Sequence, residues 1–183
     1  LSHAKYYGGL EQNEREKALL MFRNGSYKII IATDLAARGI HVPDLNFIIH
    51  YQMPQREEEF IHRNGRTARM KANGTAYIIQ GNGESLPDFV KNAESFNLNK
   101  AEQKKSKQWS TLYISAGKKD KISKGDVVGF MIKEGKLTPE DLGLIEVQGN
   151  SCFIAVESSK VESTANSLNL KKLKKTKVKV YPL

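Results

Sequence analysis

Basic side chains are concentrated between residues 62 and 69, where the sequence reads His-Arg-Asn-Gly-Arg-Thr-Ala-Arg. Side chains three or four residues apart share one face of a helix, so His62, Arg63, Arg66 and Arg69 can lie together near a helix end. Guanidinium groups bind phosphate oxygens through two parallel hydrogen bonds. A solvated basic helix has similar spacing, but this segment contains no carboxylate to pair with its arginines. The pattern therefore favours a phosphate-binding site.

The formal charge of +9 is unevenly distributed along the 183 residues. Residues 1–100 carry 13 Lys/Arg and 11 Asp/Glu, a balance of +2, whereas residues 101–183 carry 16 and 9, a balance of +7. Every arginine precedes residue 70, and lysine supplies all the basic charge after residue 100. A segment-wide excess of this kind favours a polyanionic partner, although single surface lysines also serve solubility.

The first hundred residues alternate strand-like and helix-like segments, as expected for βαβ units with a parallel sheet. Apolar β-branched runs predict buried strands, and the pattern of turns predicts helices between them. The predicted strands are 4–7, 28–32, 47–51 and 75–80, and the predicted helices are 12–22, 57–69 and 87–96. The three candidate ligand loops, 8–15, 32–42 and 62–69, lie at the ligand-binding edge of such a sheet.

A polar linker over residues 99–110 separates this domain, residues 1–98, from a second one, residues 111–183. The second domain is predicted to have the order βαββαβ. Capping-box patterns at 123–126 and 138–141 begin helical segments, and Gln-Gly-Asn at 148–150 predicts a hairpin turn. A second helix is expected over 161–170 and a closing strand over 177–181. The single cysteine, Cys152, lies in an apolar strand and is predicted to be a buried thiol.

Three segments resemble, in order, motifs of the DEAD-box RNA helicases. They are Tyr-Gly-Gly-Leu-Glu-Gln-Asn-Glu-Arg at 7–15, Ala-Thr-Asp-Leu-Ala-Ala-Arg-Gly-Ile at 32–40 and the arginine-rich segment 62–69. The resemblance implies that residues 1–98 are a second RecA-like domain that lacks its start. Residues 112–120 and 125–129, with Ala68, are similar to the DbpA type, whose C-terminal domain resembles an RNA-recognition fold and docks structured large-subunit ribosomal RNA.

The resemblance also implies roles for individual residues. Arg66 and Arg69 would act as arginine fingers on the phosphoryl group transferred from ATP, with His41 and Gly39 also at the nucleotide. In this family an aspartate usually occupies the position of His41. RNA contacts are implied for Gly8, Gln12, Arg15 and Thr33, with Gly39 also along the backbone, and coupling of the two sites for Asp34, Arg38, His62 and Arg63.

In the second domain, Lys118 and Lys119 are predicted RNA contacts, because a Gly-Lys-Lys-Asp turn can present two ammonium groups together. Tyr113 and Phe153 are predicted stacking surfaces, unless the strand register places them in the core. Phe153 is the one aromatic residue of the central strand, so recognition is expected to depend more on lysines and RNA shape.

We therefore expect the C-terminal portion of an ATP-dependent RNA helicase acting in ribosome assembly. The chain has neither a Gly-x-x-x-x-Gly-Lys-Ser/Thr loop nor an Asp-Glu-Ala-Asp segment, so a missing N-terminal RecA-like domain of the same protein would bind ATP and Mg²⁺. Alone, the chain is expected to be inactive. An RNA-binding chaperone module and a DNA helicase of the same superfamily are the alternatives. No metal site in the chain, no membrane partner and a cytoplasmic location are also expected.

Overall fold

The computed structural model describes residues 3–34, 45–65, 74–98 and 108–183. The chain divides into two compact units, one drawn from residues 1–36 and 105–183 and the other from residues 37–104. The sequence boundaries at residues 98 and 111 stay a prediction. Among the described residues, no helix is long and apolar enough to cross a membrane. The same residues contain no cluster of histidine, cysteine and carboxylate side chains that could hold a metal ion.

The first unit begins with a βαβ segment, as the sequence predicts. Its elements are β1 (His3–Tyr6), α1 (Gln12–Arg23) and β2 (Ile29–Ala32). The two strands are parallel, with His3 opposite Ile29. Helix α1 buries Leu20 and Met21, and its first turn is stabilised because the Glu14 carboxylate accepts a hydrogen bond from the Glu11 backbone N–H at 3.0 Å.

The second unit contains another parallel pair connected through a helix. Its elements are β3 (Phe47–His50), α2 (Glu57–Asn64) and β4 (Thr75–Ile78), with Phe47 opposite Thr75. The predicted parallel pairing is thus confirmed. The predicted helix over 87–96 is wrong, because this segment turns at Pro87, whose carbonyl accepts from Val90 N–H at 2.9 Å, and Asn92 has a φ of 59°.

Aromatic packing explains why residues 87–96 are not helical. The Phe89 ring lies 5.6 Å from Phe60, and the Phe96 ring lies 5.6 Å from Tyr77, measured between ring centroids. These two partners belong to α2 and β4, so the segment follows the surface that they offer. Tertiary contacts of this kind override a weak helical preference.

Residues 108–183 form a four-stranded antiparallel sheet, in the order β10 (Val180–Pro182), β5 (Trp109–Ile114), β7 (Cys152–Glu157) and β6 (Leu142–Val147). The chain order βαββαβ is confirmed. The helices are α3 (Lys124–Lys133) and α4 (Val161–Leu168). The segment predicted as one closing strand instead contains part of a small hairpin, β8 (Lys172–Leu173) with β9 (Thr176–Lys177), before β10.

The core lies between one face of this sheet and the two helices. Alternate residues of each strand point to this inner face, and Leu112, Ile114 and Ile154 are fully buried there. Val127 and Met131 of α3 pack against them in the same cluster. The remaining residues of each strand point to the outer face, which is where the predicted RNA contacts of the strands lie.

Cys152 is buried, as predicted, at the start of β7. Its Sγ donates a hydrogen bond to the Ala116 carbonyl oxygen at 2.9 Å. Burial, with a smaller contribution from Asp120, raises the pKa of the thiol to about 11. The side chain is therefore an uncharged structural thiol at neutral pH.

Asp141 gives the C-terminal domain a predictable acid sensitivity. Its buried carboxylate accepts from Lys160 Nζ at 2.7 Å and from Thr138 N and Oγ1 at 2.9 and 3.0 Å. The bond from Lys160, followed by those from Thr138, holds the carboxyl pKa well below its usual range. A depressed folded-state pKa contributes stability that is present above the unfolded-state pKa of about 3.9 and is lost as pH falls below it.

We expect Asp141→Asn to reduce the stability at pH 7 and to weaken its decline between about pH 4 and pH 2. Urea unfolding followed by circular dichroism across this range would measure both effects. Glu162→Gln, at an exposed carboxylate of α4, is the control and should leave the decline in place. An equally steep decline in Asp141→Asn would show that other carboxylates set the acid sensitivity.

Candidate nucleic-acid interface

Two predicted RNA contacts, Gly8 and Thr33, lie just beyond the carboxyl ends of the parallel strands β1 and β2. The Arg15 guanidinium donates a hydrogen bond to the Gly8 carbonyl at 2.5 Å, so α1 holds this loop. Thr33 N–H donates to the Tyr6 carbonyl at 3.2 Å. Gly8, Arg15 and Thr33 are therefore brought to one edge of the sheet, where ligands of parallel sheets usually bind.

The donors of this edge are only partly used within the described part of the chain. Arg15 Nε is buried and has no hydrogen-bond partner there. Gln12, also predicted to contact RNA, donates instead to Glu16 Oε1 at 2.9 Å along the exposed side of α1. Arg15 brings a guanidinium group to this edge, and contacts of this group with a phosphodiester backbone do not distinguish one base from another.

Of the predicted coupling residues, Asp34 and His62 are exposed and Arg63 contacts its own unit. The Arg63 guanidinium donates to the Gln52 carbonyl at 2.7 Å and lies 3.4 Å from His50 Nδ1. His50 Nε2 lies 2.8 Å from Asn64 Oδ1. If that amide oxygen accepts, Nε2 carries the proton and Nδ1 can accept from Arg63.

His50 is a structural residue that the sequence reasoning missed. It ends an apolar run and is 1% exposed, so its hydrogen bonds to α2 fix the beginning of the arginine-rich segment. The available signal was a polar residue at the end of a strand that the sequence predicts to be buried, because buried polar side chains need partners. In the structure Phe47 and Ile49 of this strand are exposed, so the predicted burial holds for His50 and not for the strand as a whole.

The remaining predicted nucleotide and coupling residues lie outside the described residues. These are Arg38, Gly39, His41, Arg66 and Arg69.

The outer face of the C-terminal sheet has an aromatic row made of Tyr113, Phe153 and Tyr181. Tyr113 of β5 lies opposite Phe153 of β7 and opposite Tyr181 of β10. Its ring is stacked on Tyr181 at 4.7 Å and meets Phe153 edge-on at 5.5 Å. Burial, followed by the proximity of Tyr181, raises the pKa of Tyr113, which keeps its hydroxyl neutral.

This row confirms that Tyr113 and Phe153 point away from the core, and it adds Tyr181, which the sequence reasoning missed. Tyr181 is 45% exposed. Its position could be recognised only once β10 was paired with β5, because register decides which face a side chain occupies. The sheet thus has more stacking surface than the central strand alone suggests.

Lys118 and Lys119 occupy an exposed turn that is attached to the β6–β7 hairpin. Their backbone N–H groups donate to the carbonyls of Gln148 and Gly149 at 2.8 and 2.9 Å. Gly117 makes the close approach possible, because a Cβ at this position would lie 2.3 Å from the Gln148 oxygen. The turn therefore presents two ammonium groups at the end of the sheet where Phe153 lies.

Comparison with known proteins finds two families in this chain. Residues 1–71 match the helicase conserved C-terminal domain, and residues 111–182 match the DbpA RNA binding domain. The ATP-dependent RNA helicase DbpA of Escherichia coli is 30% identical over 176 residues, covering 92% of this chain and 38% of that protein. The DbpA of Bacillus subtilis is 27% identical over 186 residues, covering 85% of this chain and 39% of that protein.

A relative outside the DbpA proteins matches over a shorter stretch. The rice DEAD-box ATP-dependent RNA helicase 53 is 44% identical over 79 residues, 43% of this chain and 13% of that protein. The crystal structure of the yeast DEAD-box splicing factor Prp28 shares 33% identity over 46% of this chain and 18% of that chain, with a TM-score of 0.43.

The chain spans less than half the length of the curated relatives named above. The two matched families follow one another in the order found from the sequence motifs, and the DbpA relatives align across both. The chain therefore belongs to the DbpA-type DEAD-box helicases and corresponds to their C-terminal part.

Proposed function

We propose that this chain is the RNA-binding part of an ATP-dependent helicase that remodels structured RNA of the large ribosomal subunit during ribosome assembly. The observation that carries the RNA-binding half of this proposal is the surface formed by the aromatic row and the Lys118–Lys119 turn. Flat aromatic rings stack on unpaired bases, and ammonium groups attract phosphates, so this surface has both kinds of contact that RNA needs.

The aromatic row and the lysine turn have separate tasks. Stacking on an exposed ring is worth about 1–3 kcal/mol per base and tolerates any base. The lysines add salt-dependent attraction without base selection. Because the hairpin carbonyls fix the turn beside the row, a folded RNA that presents an unpaired base next to a phosphate backbone fits better than a uniform duplex.

The ATP-dependent step is proposed for the whole protein, and it would need two RecA-like domains acting together. An N-terminal RecA-like domain of the same protein would bind ATP and Mg²⁺, and Arg66 and Arg69 would stabilise charge on the transferred phosphoryl group. The Gly8–Arg15 edge would hold the RNA backbone as the two domains close. The present chain alone, without a phosphate loop, would not hydrolyse ATP.

The lysine turn can be tested in the 183-residue chain. We expect Lys118→Ala with Lys119→Ala to weaken binding of a labelled ribosomal RNA hairpin about tenfold at moderate salt. The slope of log K against log salt should become shallower by about 1.5, because each lost phosphate contact removes about 0.7–0.9. Fluorescence anisotropy at several salt concentrations measures both quantities.

The matched control removes two exposed lysines from elsewhere in the domain, Lys133→Ala with Lys172→Ala. It changes the net charge equally and should shift the affinity and slope much less. Equal effects of the two double variants would mean that only net charge matters, and the turn would then not be the binding site. A parent chain that prefers no structured ribosomal hairpin over a random strand would remove the ribosomal part of the proposal.

A further inference from the structure

The aromatic row occupies one half of the outer face of the C-terminal sheet. A turn from the first segment of the chain covers the other half. This docking turn comprises residues 23–26, from the last residue of α1 onward. Asn24 Nδ2 donates to Thr111 Oγ1 at 2.8 Å, and Ser26 Oγ lies 2.7 Å from the same atom. Thr111 faces outward from β5 yet is fully buried, because the docking turn covers it.

An ion pair fixes the edge of this contact. The Arg23 guanidinium donates to both carboxylate oxygens of Glu146, at 2.9 and 3.2 Å. Both side chains are about one third exposed, so the pair is partly shielded from water. Glu146 lies opposite Phe153 in the sheet and therefore stands at the boundary with the aromatic row.

The docking turn is shaped by its own backbone before it meets the sheet. Asn24 N–H donates to the Leu20 carbonyl at 2.9 Å, which ends α1. Gly25 has a φ of +81°, and a Cβ on it would lie 3.3 Å from Cδ1 of Trp109. Glycine is thus favoured at this position both by conformation and by the close approach to the indole ring.

Charge separates the two halves of the outer face. The docked half includes Glu146 and also Glu157, which lies opposite Trp109. The carboxylates of the docked half repel RNA phosphates. The other half, with the aromatic row, lies next to the Lys118–Lys119 turn, whose ammonium groups attract them. Because Arg23 neutralises Glu146 at the boundary, docking removes a repulsive charge next to Phe153.

We propose that the docking turn is the partner of this acidic half and that it stays in place while RNA occupies the aromatic row. RNA held by the C-terminal domain would then keep a fixed position relative to the Gly8–Arg15 edge of the same compact unit. The simultaneous occupancy rests on the proposed RNA-binding function, whereas the docking itself does not.

Trp109 is the only tryptophan of the chain, so its fluorescence reports on the docking turn directly. Arg23→Ala and Asn24→Ala should each move the Trp109 emission to longer wavelength, because water replaces the turn. Lys17→Ala, which removes a cation from the same helix, should leave the emission unchanged. The exchanged pair Arg23→Glu with Glu146→Arg should restore part of the shift that Arg23→Glu causes alone.

RNA binding is followed in parallel by anisotropy of a labelled hairpin. At saturating RNA, the parent should keep its Trp109 emission, and Arg23→Ala should bind roughly two- to fivefold more weakly than Lys17→Ala, as expected for one unpaired surface charge. Tighter binding by Arg23→Ala or Asn24→Ala, or an RNA-induced emission shift in the parent, would show that the turn competes with RNA and would overturn simultaneous occupancy.

The two proposals fail in different ways. Without any hairpin binding by the parent chain, the RNA-binding function fails and simultaneous occupancy fails with it, while an emission shift in Asn24→Ala still supports docking. If none of the docking-turn variants changes the Trp109 emission, the docking itself is overturned, whatever the RNA data show.

Discussion

Arg66→Ala is expected to lower ATP turnover by about 10³-fold or more in a protein that also carries the phosphate-loop domain. An arginine finger stabilises charge that develops on the transferred phosphoryl group, and in GTPases it contributes about 10³–10⁵ to the turnover rate. Lysine should rescue poorly, because one ammonium cannot reproduce the planar pair of donors. RNA-stimulated phosphate release at saturating ATP measures the effect.

Arg56→Ala is the matched control, since Arg56 is an exposed arginine at the beginning of α2. It should retain most of the turnover, and both variants should bind RNA and unfold like the parent protein. Near-normal RNA-stimulated turnover in Arg66→Ala would show that this arginine does not contact the reacting phosphate.

The second large effect is expected for Gly117→Ala, which should destabilise the C-terminal domain by about 3 kcal/mol or more. The new Cβ would lie 2.3 Å from the Gln148 oxygen and 2.6 Å from the Ser151 nitrogen, both backbone atoms that cannot rotate away. Overpacking commonly costs about 1–3 kcal/mol, and backbone clashes lie at the upper end. Urea unfolding gives the free-energy change directly.

Gly129→Ala provides the comparison, because a Cβ at this position in α3 meets no atom within 4 Å. Alanine should stabilise the helix there by up to about 1 kcal/mol. RNA affinity adds an independent measurement, since displacement of the hairpin in Gly117→Ala also moves the Lys118–Lys119 turn. A Gly117→Ala domain as stable as its parent would mean that the hairpin can shift at little cost.

Local chemistry explains which parts of the fold could be predicted. The capping box between Ser123 and Asp126 forms as the sequence indicates, with Ser123 N donating to the carboxylate at 2.8 Å. The hairpin at 148–150 likewise depends on residues that are neighbours in sequence. The order βαββαβ follows from such signals because each one fixes the beginning or end of a single element.

Contacts between distant residues explain what could not be predicted. Residues 87–96 were predicted to be helical, but the ring contacts of Phe89 and Phe96 determine their conformation. Tyr181 belongs to the aromatic row because it pairs with Tyr113, 68 residues away in sequence. The bond from Asn24 to Thr111 spans 87 residues. No local pattern encodes such contacts, so the divided outer face emerges only from the three-dimensional structure.

The reactivity of the buried Cys152 thiol can be used to measure the local stability of the C-terminal domain. It is the only cysteine, it is fully enclosed, and a pKa of about 11 leaves very little reactive thiolate at neutral pH. An alkylating reagent therefore reaches it chiefly when β7 separates from its neighbours. The rate of covalent labelling under native conditions then reports how often that strand opens, without denaturant and without any added probe.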